Sequence, residues 1–354
     1  MLNYTICSIV KNEEKNINRF LRSLSIFDCE IIILDTGSTD STLEIASKYS
    51  CKIYHFDWIN DFSVARNYAA SLARNEWILF IDCDEFVEHC NPHELSSLAS
   101  HNPKSLGLLE RVNLVSSDNE KGAYTDRIPR FYNRNYFEYT GQIHEQLVAK
   151  DNSALNGFYI PLKVIHPGYL GTPEELSAKH NRNIGMLRER LKSSPSDCYY
   201  NFQMGQELYN LDKYSEALPF FEMALIQDLS SQNEYHRILI MGYCDCLLLS
   251  GQHAKALDVI QSFQKEFGNC SDFFYLLGLI NFHNRKYLHA MSAFIEAKLL
   301  KNPHKEGTDT YLPTFYLAQI NELMGNTEQA LQFYKECGEL EIAQIKIQEL
   351  ENLK

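Results

Sequence analysis

The feature that most constrains the fold is an unbroken apolar run, Trp77 to Ile81, which stops abruptly at acidic residues. A run of this length without polar alternation is typical of a strand buried on both faces of a mostly parallel sheet. Asp82, Asp84 and Glu85 would then stand at the carboxyl end of that strand, the edge where open α/β sheets bind ligands. Two aspartates one residue apart suit Mg²⁺ or Mn²⁺, but Asp is also common in solvated turns. Taken alone, the run leaves both interpretations open.

Strand-like and helix-like segments alternate before this run. The predicted strands cover residues 5–10, 30–34, 52–56 and 77–81, and the predicted helices cover residues 12–24, 42–49 and 62–74. Such alternation with short links predicts a parallel sheet with helices on both faces. Beyond the acids we expect a short helix over 92–100 and strands over 106–115 and 159–165, with irregular chain between them. The first 172 residues are therefore predicted to form one α/β domain.

Composition restricts the class of protein. The 354 residues, 45% apolar and 22% charged, are typical of a soluble globular protein and allow two domains. A net charge of −13 argues against a general nucleic-acid or anionic-membrane surface. Without a signal-like leader or a spanning apolar run, we expect a cytoplasmic protein with no transmembrane segment. The ten cysteines form no C-x-x-C pair, which favours reduced, packed thiols.

An internal repeat begins after residue 173. The residues Gly205, Ala217, Phe221 and Ala224 recur as Gly278, Ala290, Phe294 and Ala297, with the same offsets of 12, 4 and 3 residues. Weaker copies centre on Ala256 and Ala330. This pattern resembles the tetratricopeptide repeat, whose period is about 34 residues. We therefore expect a linker helix over 173–195 and an all-α solenoid over 196–354, in which small residues allow close helix packing against Phe221 and Phe294.

Four short motifs follow one another in the N-terminal half. They are the stretch from Ser8 to Glu13, the turn from Asp35 to Asp40, the helix start Ala65-Arg66-Asn67, and the acids Asp82-Cys83-Asp84. In this order they resemble the family 2 glycosyltransferases of the GT-A fold, over roughly the first 170 residues. Each motif alone has a high false-positive rate, but the ordered set is specific. The resemblance implies an α/β GT-A domain, Rossmann-like with a mostly parallel sheet.

The resemblance also implies a donor site for a nucleotide sugar, most simply a UDP-sugar. The candidate donor-binding residues are Val10, Asn12, Glu13, Asp35, Gly37, Arg66, Asp82 and Cys83. Asp35 can accept from a uracil N–H or a ribose hydroxyl, and Arg66 can pair with diphosphate or with the nearby carboxylates. The alternatives are a turn aspartate, for which Asp40 is the better candidate, and a surface salt bridge for Arg66.

The D-x-D element is, by the same resemblance, a site for Mn²⁺ or Mg²⁺, which neutralises the departing diphosphate. Asp84 is the first choice for direct coordination, while Asp82 can act partly through ribose or water. His166, which follows a predicted strand, can complete the metal's coordination, although a lone histidine is more often structural. Trp58, Asp61 and Phe62 can line a sugar pocket or simply pack at a helix entrance.

Residues 127–145 are rich in Arg and aromatics and end in a G-x-x-H-E cluster. They resemble a subgroup that includes lipooligosaccharide β-glucosyltransferases and sublancin-type peptide S-glycosyltransferases. An inverting transfer needs a base on the acceptor side, and Glu145 is the candidate, with His144 orienting it or contacting diphosphate. The alternative is that Glu145 forms a structural salt bridge with Arg130 or Arg134.

The sequence thus predicts a metal-dependent inverting hexosyltransferase that uses a UDP-sugar. Tetratricopeptide grooves usually hold extended peptides, which favours a peptide or protein acceptor, and the repeats can also support a homodimer. Two other readings stay open: a transferase for a cell-surface or lipid-linked glycan, and a repeat scaffold with an inactive transferase domain. The retained Asp35, Arg66, Asp82, Asp84 and Glu145 argue against the scaffold.

Overall fold

An eight-stranded sheet and a run of paired helices make up the two halves of the chain. This computed structural model describes residues 3–117, 120–169, 172–226, 234–300 and 303–352. The chain divides into two units, Met1–Leu176 and Ser177–Lys354. The first is the predicted α/β domain and the second is the predicted helical repeat region, so the fold class is confirmed.

The first unit contains ten strands and four α-helices within its described residues. The strands are β1 (Tyr4–Val10), β2 (Glu30–Asp35), β3 (Lys52–His55), β4 (Trp77–Phe80), β5 (Phe86–Cys90), β6 (Leu106–Ser117), β7 (Glu120–Asn133), β8 (Phe137–Thr140), β9 (Gln146–Ala149) and β10 (Gly157–Tyr169). The helices are α1 (Ile17–Ser23), α2 (Thr42–Ala46), α3 (Phe62–Ser71) and α4 (Pro92–His101), and a 3₁₀ turn follows α1 at Leu24–Ile26.

The sheet order is β3-β2-β1-β4-β7-β6-β10-β5, and β8 and β9 form a separate hairpin. Strands β3, β2, β1 and β4 are parallel, and β7 runs antiparallel between β4 and β6. The side chains of β4 alternate between two cores: Trp77 and Leu79 pack on one face, Ile78 and Phe80 on the other. The predicted strand is thus buried on both faces, and its acids lie at the centre of the sheet's edge.

The first helix starts later than predicted. It begins at Ile17 rather than at residue 12, because Asn12 has a φ of +55°, a left-handed conformation that no α-helix contains. The chain from Asn12 to Asn16 instead forms a turn, and the amide N–H of Asn16 donates to the carbonyl of Glu13 at 2.9 Å. The turn lies beside the loop after β2, where Asn12 accepts from the Thr39 amide at 2.8 Å.

The irregular chain predicted after residue 115 was the largest error. Residues 120–133 form β7, which pairs with β6 on one side and β4 on the other. Pro129, which lacks an amide donor, lies beside a register shift opposite Leu108 and interrupts the local strand pattern. The β8–β9 hairpin and β5 were also missed.

The second unit consists of helices that pair in sequence. They are α5 (Pro173–Ser193), which begins just before the unit, α6 (Cys198–Tyr209), α7 (Tyr214–Ala224), α8 (Glu234–Leu249), α9 (His253–Ser262), α10 (Gln264–Phe267), α11 (Ser271–His283), α12 (Tyr287–Leu299), α13 (Tyr311–Leu323), α14 (Thr327–Glu336) and α15 (Glu341–Asn352). Within the described ranges, none of these helices, nor any in the first unit, has the length and apolarity needed to cross a membrane.

The repeat pattern has a direct steric meaning. A Cβ atom added at Gly205 would lie 2.8 Å from the ring of Phe221, and one at Gly278 would lie 2.4 Å from the ring of Phe294. Both rings are fully buried, so each pair of helices closes only where the first helix has no side chain. This confirms the expected roles of the small residues and of the two phenylalanines.

Candidate active site

Asp82 lies between two arginines directly after β4. Its carboxylate accepts two hydrogen bonds from Arg66, at 2.9 and 3.2 Å, and one from Arg130 at 2.6 Å. Burial opposes ionisation of Asp82, but Arg130 and Arg66 outweigh it and hold the pKa of the carboxyl well below its ordinary value. Asp82 also closes a turn, because its carbonyl accepts from the Glu85 amide at 2.9 Å. The turn and functional interpretations of these acids are therefore compatible.

Arg66 joins this cluster to the candidate base. Its Nε donates to Glu145, whose side chain is only 9% exposed, while its two terminal nitrogens hold Asp82. The guanidinium also lies over the rings of Phe80 and Tyr139, at 4.5 and 5.3 Å from their centroids. Burial would lower the pKa of Arg66, yet Asp82 and Glu145 raise it well above its ordinary value. Arg66 is thus a buried cation, not the surface salt bridge considered as its alternative.

The sequence-based alternative for Glu145 named the wrong partners. Glu145 pairs with Arg66, whereas Arg130 pairs with Asp82 and Arg134 donates to the carbonyls of helix α3. The residue before Glu145, His144, has a φ of +51° and turns the chain sharply at this point.

Helix α3, which carries Arg66, is held in place by contacts before and after that residue. Asp61 caps the helix by accepting from the Val64 amide at 3.0 Å. Asn67 makes two hydrogen bonds to the backbone of Tyr139 in β8, at 2.8 and 2.9 Å. Trp58 packs against Phe62, with ring centroids 4.7 Å apart. Trp58, Asp61 and Phe62 therefore make the packing and capping contacts of a helix entrance.

Asp84 lies beside His166. The Nε2 of His166 is 3.2 Å from Asp84 Oδ2, and the Nδ1 of the same ring is 2.8 Å from Asn113 Oδ1. His166 and Asn113 are buried, and they are register partners on the adjacent parallel strands β10 and β6. The long strands β6 and β10 thus carry this pair to the edge where β4 ends.

The three predicted metal ligands are not brought together as one cluster. Asp84 and His166 are close, but the carboxylate of Asp82 is occupied by Arg66 and Arg130. In the described ranges no group of three or more His, Cys, Asp or Glu side chains could hold a metal ion. Two neighbouring ligands of one octahedral ion with bonds of about 2.1 Å lie about 3 Å apart, which fits Asp84 and His166. The pair suits an ion whose other ligands are water and substrate phosphate.

Asp35 occupies the carboxyl end of β2. Its buried carboxylate accepts from the amides of Gly37 and Ser38, at 3.1 and 3.0 Å, and contacts His55 Nδ1 at 3.2 Å. Burial raises its pKa, but these hydrogen bonds have the larger combined effect and lower it. Gly37 has a φ of +101°, which a side chain would strain. Asp35 therefore stabilises a turn as well as standing at the ligand-binding edge, and Asp40 likewise accepts from the Thr42 amide, at 3.0 Å, in the turn before α2.

The remaining donor candidates have different surroundings. Val10 is buried and its carbonyl accepts from the Thr36 amide at 3.0 Å. The side chain of Cys83 lies in the core, so only its backbone could reach a ligand. Burial, helped by Asp84, Asp40 and Asp82, raises the pKa of Glu13, which places this carboxyl in the same acidic region as Asp84.

Sequence reasoning missed the residues that surround the pair of Asp84 and His166. Asn113, Asp126 and Arg111 form a connected polar group on β6 and β7, and Arg111 also donates to Glu85 at 3.2 Å. The available signal was the unusual run of polar residues within a strand-like segment, which becomes informative only when β7 is recognised as the partner of β6.

Comparison with known proteins bears on the same residues. Residues 5–153 match the family described as Glycosyl transferase family 2. The chain is similar to the SPbeta prophage-derived glycosyltransferase SunS of Bacillus subtilis strain 168, with 29% identity over 278 residues that cover 77% of this chain and 65% of that protein. The match thus spans slightly less than two thirds of that relative.

Two further similarities differ in extent. A stretch of 85 residues is 44% identical to a TPR repeat-containing protein of Synechococcus elongatus, covering 24% of this chain and 21% of that protein. The structure of S. aureus TarS 1–349 with UDP-GlcNAc matches 84% of this chain and 91% of that chain at 16% identity, with a TM-score of 0.35.

The family match contains Asp35, Arg66, Asp82, Asp84 and Glu145, whereas His166 lies outside it. Five of the site residues described above therefore fall within one recognised domain. The N-terminal unit carries a glycosyltransferase domain of family 2 over residues 5–153, and the helical region that follows it resembles tetratricopeptide-repeat proteins.

Proposed function

We propose that this protein transfers a hexose from a UDP-sugar, with Mn²⁺ or Mg²⁺, to an acceptor with inversion at the sugar carbon. The observation that carries the proposal is the 3.2 Å approach of Asp84 to His166 beside the cluster of Arg66, Arg130 and Asp82. This arrangement lies at the carboxyl edge of the parallel strands, where such sheets bind nucleotides.

The donor half of the reaction follows from the charges at this edge. Asp84 and His166 would hold the ion, which supplies positive charge where the nucleoside diphosphate leaves. Arg66 and Arg130 keep Asp82 ionised and fix its position, so that its oxygens can orient a ribose hydroxyl or a metal-bound water. Asp35, with its turn at Gly37, is proposed to bind the base and ribose.

The acceptor half is assigned to Glu145. In an inverting transfer a carboxylate takes a proton from the attacking hydroxyl or thiol while the bond to the diphosphate breaks. The ion pair with Arg66 holds Glu145 in one position on the buried side of the cluster. Because the same guanidinium holds Asp82, the proposed base and the donor side are fixed relative to each other.

A peptide or protein side chain is the proposed acceptor. Within the described residues, four helix pairs follow the transferase domain in the chain (α6–α7, α8–α9, α11–α12 and α13–α14), and such arrays commonly bind extended chains on their concave face. The proposed boundaries are 1–172 for the transferase, 173–195 for the linker helix and 196–354 for the repeats. Helix α5 packs on α6 through buried His180 and Asn183, which both contact Glu207.

A nucleotide-sugar binding screen with and without Mn²⁺ tests the donor proposal. We expect a UDP-sugar to bind more tightly with the ion in the wild type. A wild type that neither binds UDP with Mn²⁺ nor hydrolyses any UDP-sugar would favour the inactive scaffold.

The acceptor is tested by incubating the protein with radiolabelled UDP-sugar and separate peptide and glycan pools. Label in the peptide pool is the expected result. Label confined to the glycan pool would overturn the peptide proposal and leave the donor proposal intact.

A further inference from the structure

We propose that Asn113 is a positioning residue that fixes the tautomer of His166, so that the Nε2 lone pair faces Asp84. This inference rests on the proposed metal site and assigns a role to a residue that does not itself contact the ion. Asn113 is fully buried in the middle of β6.

The direction of each hydrogen bond follows from the chemistry of the groups. Asp126 is held by Arg111 through two bonds, Nε to Oδ1 at 3.0 Å and Nη2 to Oδ2 at 2.6 Å, and an ionised carboxylate can only accept. The amide group of Asn113 that lies 3.2 Å from Asp126 must therefore be its NH₂. The Asn113 carbonyl then faces His166.

The orientation of Asn113 decides where the proton of His166 resides. Its carbonyl oxygen lies 2.8 Å from His166 Nδ1, and two acceptors cannot share a hydrogen bond. His166 Nδ1 must carry the proton, so in the neutral ring Nε2 carries the lone pair. A chain of defined donors thus runs from Arg111 through Asp126 and Asn113 to the ring.

The consequence appears on the other side of the ring. His166 Nε2 is 3.2 Å from Asp84 Oδ2, so a lone pair there faces a carboxylate. That juxtaposition is unfavourable unless a proton or a metal ion lies between the two atoms, and a metal site needs the metal ion there. The opposite tautomer would place a hydrogen between them and close the site with an internal hydrogen bond.

The alternative is that Asn113 is only a satisfied buried amide. The two possibilities differ because a structural role predicts a loss of stability alone, whereas a positioning role predicts a loss of metal affinity as well. Partners of this kind around histidine ligands commonly change metal affinity by about 10- to 100-fold.

The experiment measures Mn²⁺ affinity in the presence of UDP by electron paramagnetic resonance of free Mn²⁺, using the full chain. We expect Asn113→Leu to weaken Mn²⁺ binding by at least about tenfold. The matched control is Asn133→Leu, which removes a buried amide from β7 whose partners are Glu76 and the Asn135 backbone. This control should cost stability and leave Mn²⁺ affinity within about threefold of wild type, since no ligand partner is lost.

A paired exchange keeps the test valid if Asn113→Leu does not fold. In the double variant Asn113→Asp with Asp126→Asn, the carboxylate and the amide change places, and His166 Nδ1–H still meets an acceptor. We expect this variant to retain Mn²⁺ affinity, and Asp126→Asn alone to weaken it because its amide no longer dictates the orientation of Asn113.

Histidine-labelled protein examined by long-range ¹H–¹⁵N correlation should give the Nδ1–H tautomer for His166, assigned through its loss in His166→Ala.

The outcomes separate the inference from the proposed function. If His166→Ala loses Mn²⁺ but Asn113→Leu binds it as wild type does, the positioning role is wrong and the metal site stands. The Nε2–H tautomer in wild-type protein would also overturn the inference. If the wild type binds no Mn²⁺ with UDP, the metal site fails and the role of Asn113 fails with it.

Discussion

The two aspartates of the D-C-D motif have separate partners although only one residue lies between them. Asp82 is neutralised by Arg66 and Arg130, while Asp84 lies against His166 with its side chain about one third exposed. The partners described for the two carboxylates therefore differ within the motif. Asp82, whose side chain is 27% exposed, belongs to an ion cluster fixed by two arginines, whereas Asp84 contacts the imidazole of His166.

This difference predicts the effect of Asp84→Ala. Loss of the carboxylate should abolish sugar transfer and weaken Mn²⁺ binding with UDP, because a proposed ligand is removed. Folding should be retained, because the side chain of Asp84 lies outside the core and is partly exposed to solvent. Transfer rates at saturating Mn²⁺ test the loss of activity, and circular dichroism of the variant tests the retained fold. Retained transfer would refute the metal role.

Glu145→Gln tests the proposed base. The amide keeps the shape of Glu145 but cannot take a proton, so kcat with a hydroxyl acceptor should fall by about 10²- to 10⁴-fold. Binding of UDP should change little, because Glu145 acts on the acceptor.

Steady-state kinetics and UDP titration measure the two effects separately. Wild-type turnover with a hydroxyl acceptor would remove Glu145 from the mechanism. A thiol acceptor should show a smaller decrease, because a thiol ionises more readily.

At the scale of elements, Glu30 anchors the end of the sheet opposite the site. Its carboxylate accepts from Lys52 at 2.7 Å, from the Arg74 side chain at 3.1 Å, and from Thr5 at 2.8 Å. Burial raises the pKa of Glu30, but these bonds lower it from 4.5 to about 2. The carboxylate thereby ties together β1, β2, β3 and the chain after α3.

The lowered pKa of Glu30 predicts a pH-dependent stability. Because the folded-state pKa lies below the unfolded one, the stabilisation is complete above pH 4.5 and is lost as the pH falls towards 2. Its size is roughly 3 kcal/mol at most, since Lys52 and Arg74 are partly in water and screening reduces it.

Urea unfolding of wild type and Glu30→Gln at several pH values measures this contribution by difference. Other carboxyl groups titrate in both proteins and cancel. The stability difference should shrink between pH 4.5 and 2, and a constant difference would contradict the assignment.

The glycine–phenylalanine contact of the repeats predicts the effect of Gly278→Ala. Alanine favours a helix by about 1 kcal/mol, but overpacking against a buried ring costs about 1–3 kcal/mol. The variant should therefore lower the melting temperature of the helical unit. Gly185→Ala in α5 is the matched control, because its new methyl group meets no atom within 4 Å and should be neutral or stabilising. A Gly278→Ala protein as stable as wild type would contradict the packing.

The elements that could be predicted are those whose environment is apparent in the local sequence. The β4 run and the Gly278–Phe294 spacing report burial directly. Strand β7 could not be recognised, because Pro129 and the polar residues Asp126 and Arg130 conceal its alternation. Its pairing with β4 and β6 depends on residues far away in sequence.

The same limit applies to the site. The motifs placed Arg66, Asp82, Asp84 and His166 near one edge, and the structure brings them there. The partner of Glu145 was wrong, because the contact with Arg66 crosses 79 residues and depends on the unpredicted hairpin of β8 and β9. Asn113 was missed for a similar reason, since its role follows only from the register of β6 with β10.

At the scale of the whole molecule, the candidate site residues all belong to the first unit, and each unit has its own hydrophobic cores. UDP with Mn²⁺ at 100 times its dissociation constant should stabilise the first unit by about 2.7 kcal/mol. That corresponds to a melting-temperature increase of roughly 5–10 °C for a unit of this size.

Calorimetry of wild type and Gly278→Ala, each with and without UDP and Mn²⁺, tests this separation. The increase in the melting temperature of the first unit on adding UDP and Mn²⁺ should be the same in both proteins, because Gly278 lies in the second unit. Loss of the ligand effect in Gly278→Ala would contradict it.

Arg66 has a consequence for how such a protein can change over generations. Any replacement without a guanidinium would leave the carboxylates of Asp82 and Glu145 with one cation fewer, so no single substitution there is neutral. A descendant with a different base would have to change Glu145, and Arg66 would then lose one of its two carboxylate partners. Variation at positions other than Arg66, Asp82 and Glu145 keeps these three charges constant. We therefore expect a change of acceptor to arise more readily from such positions.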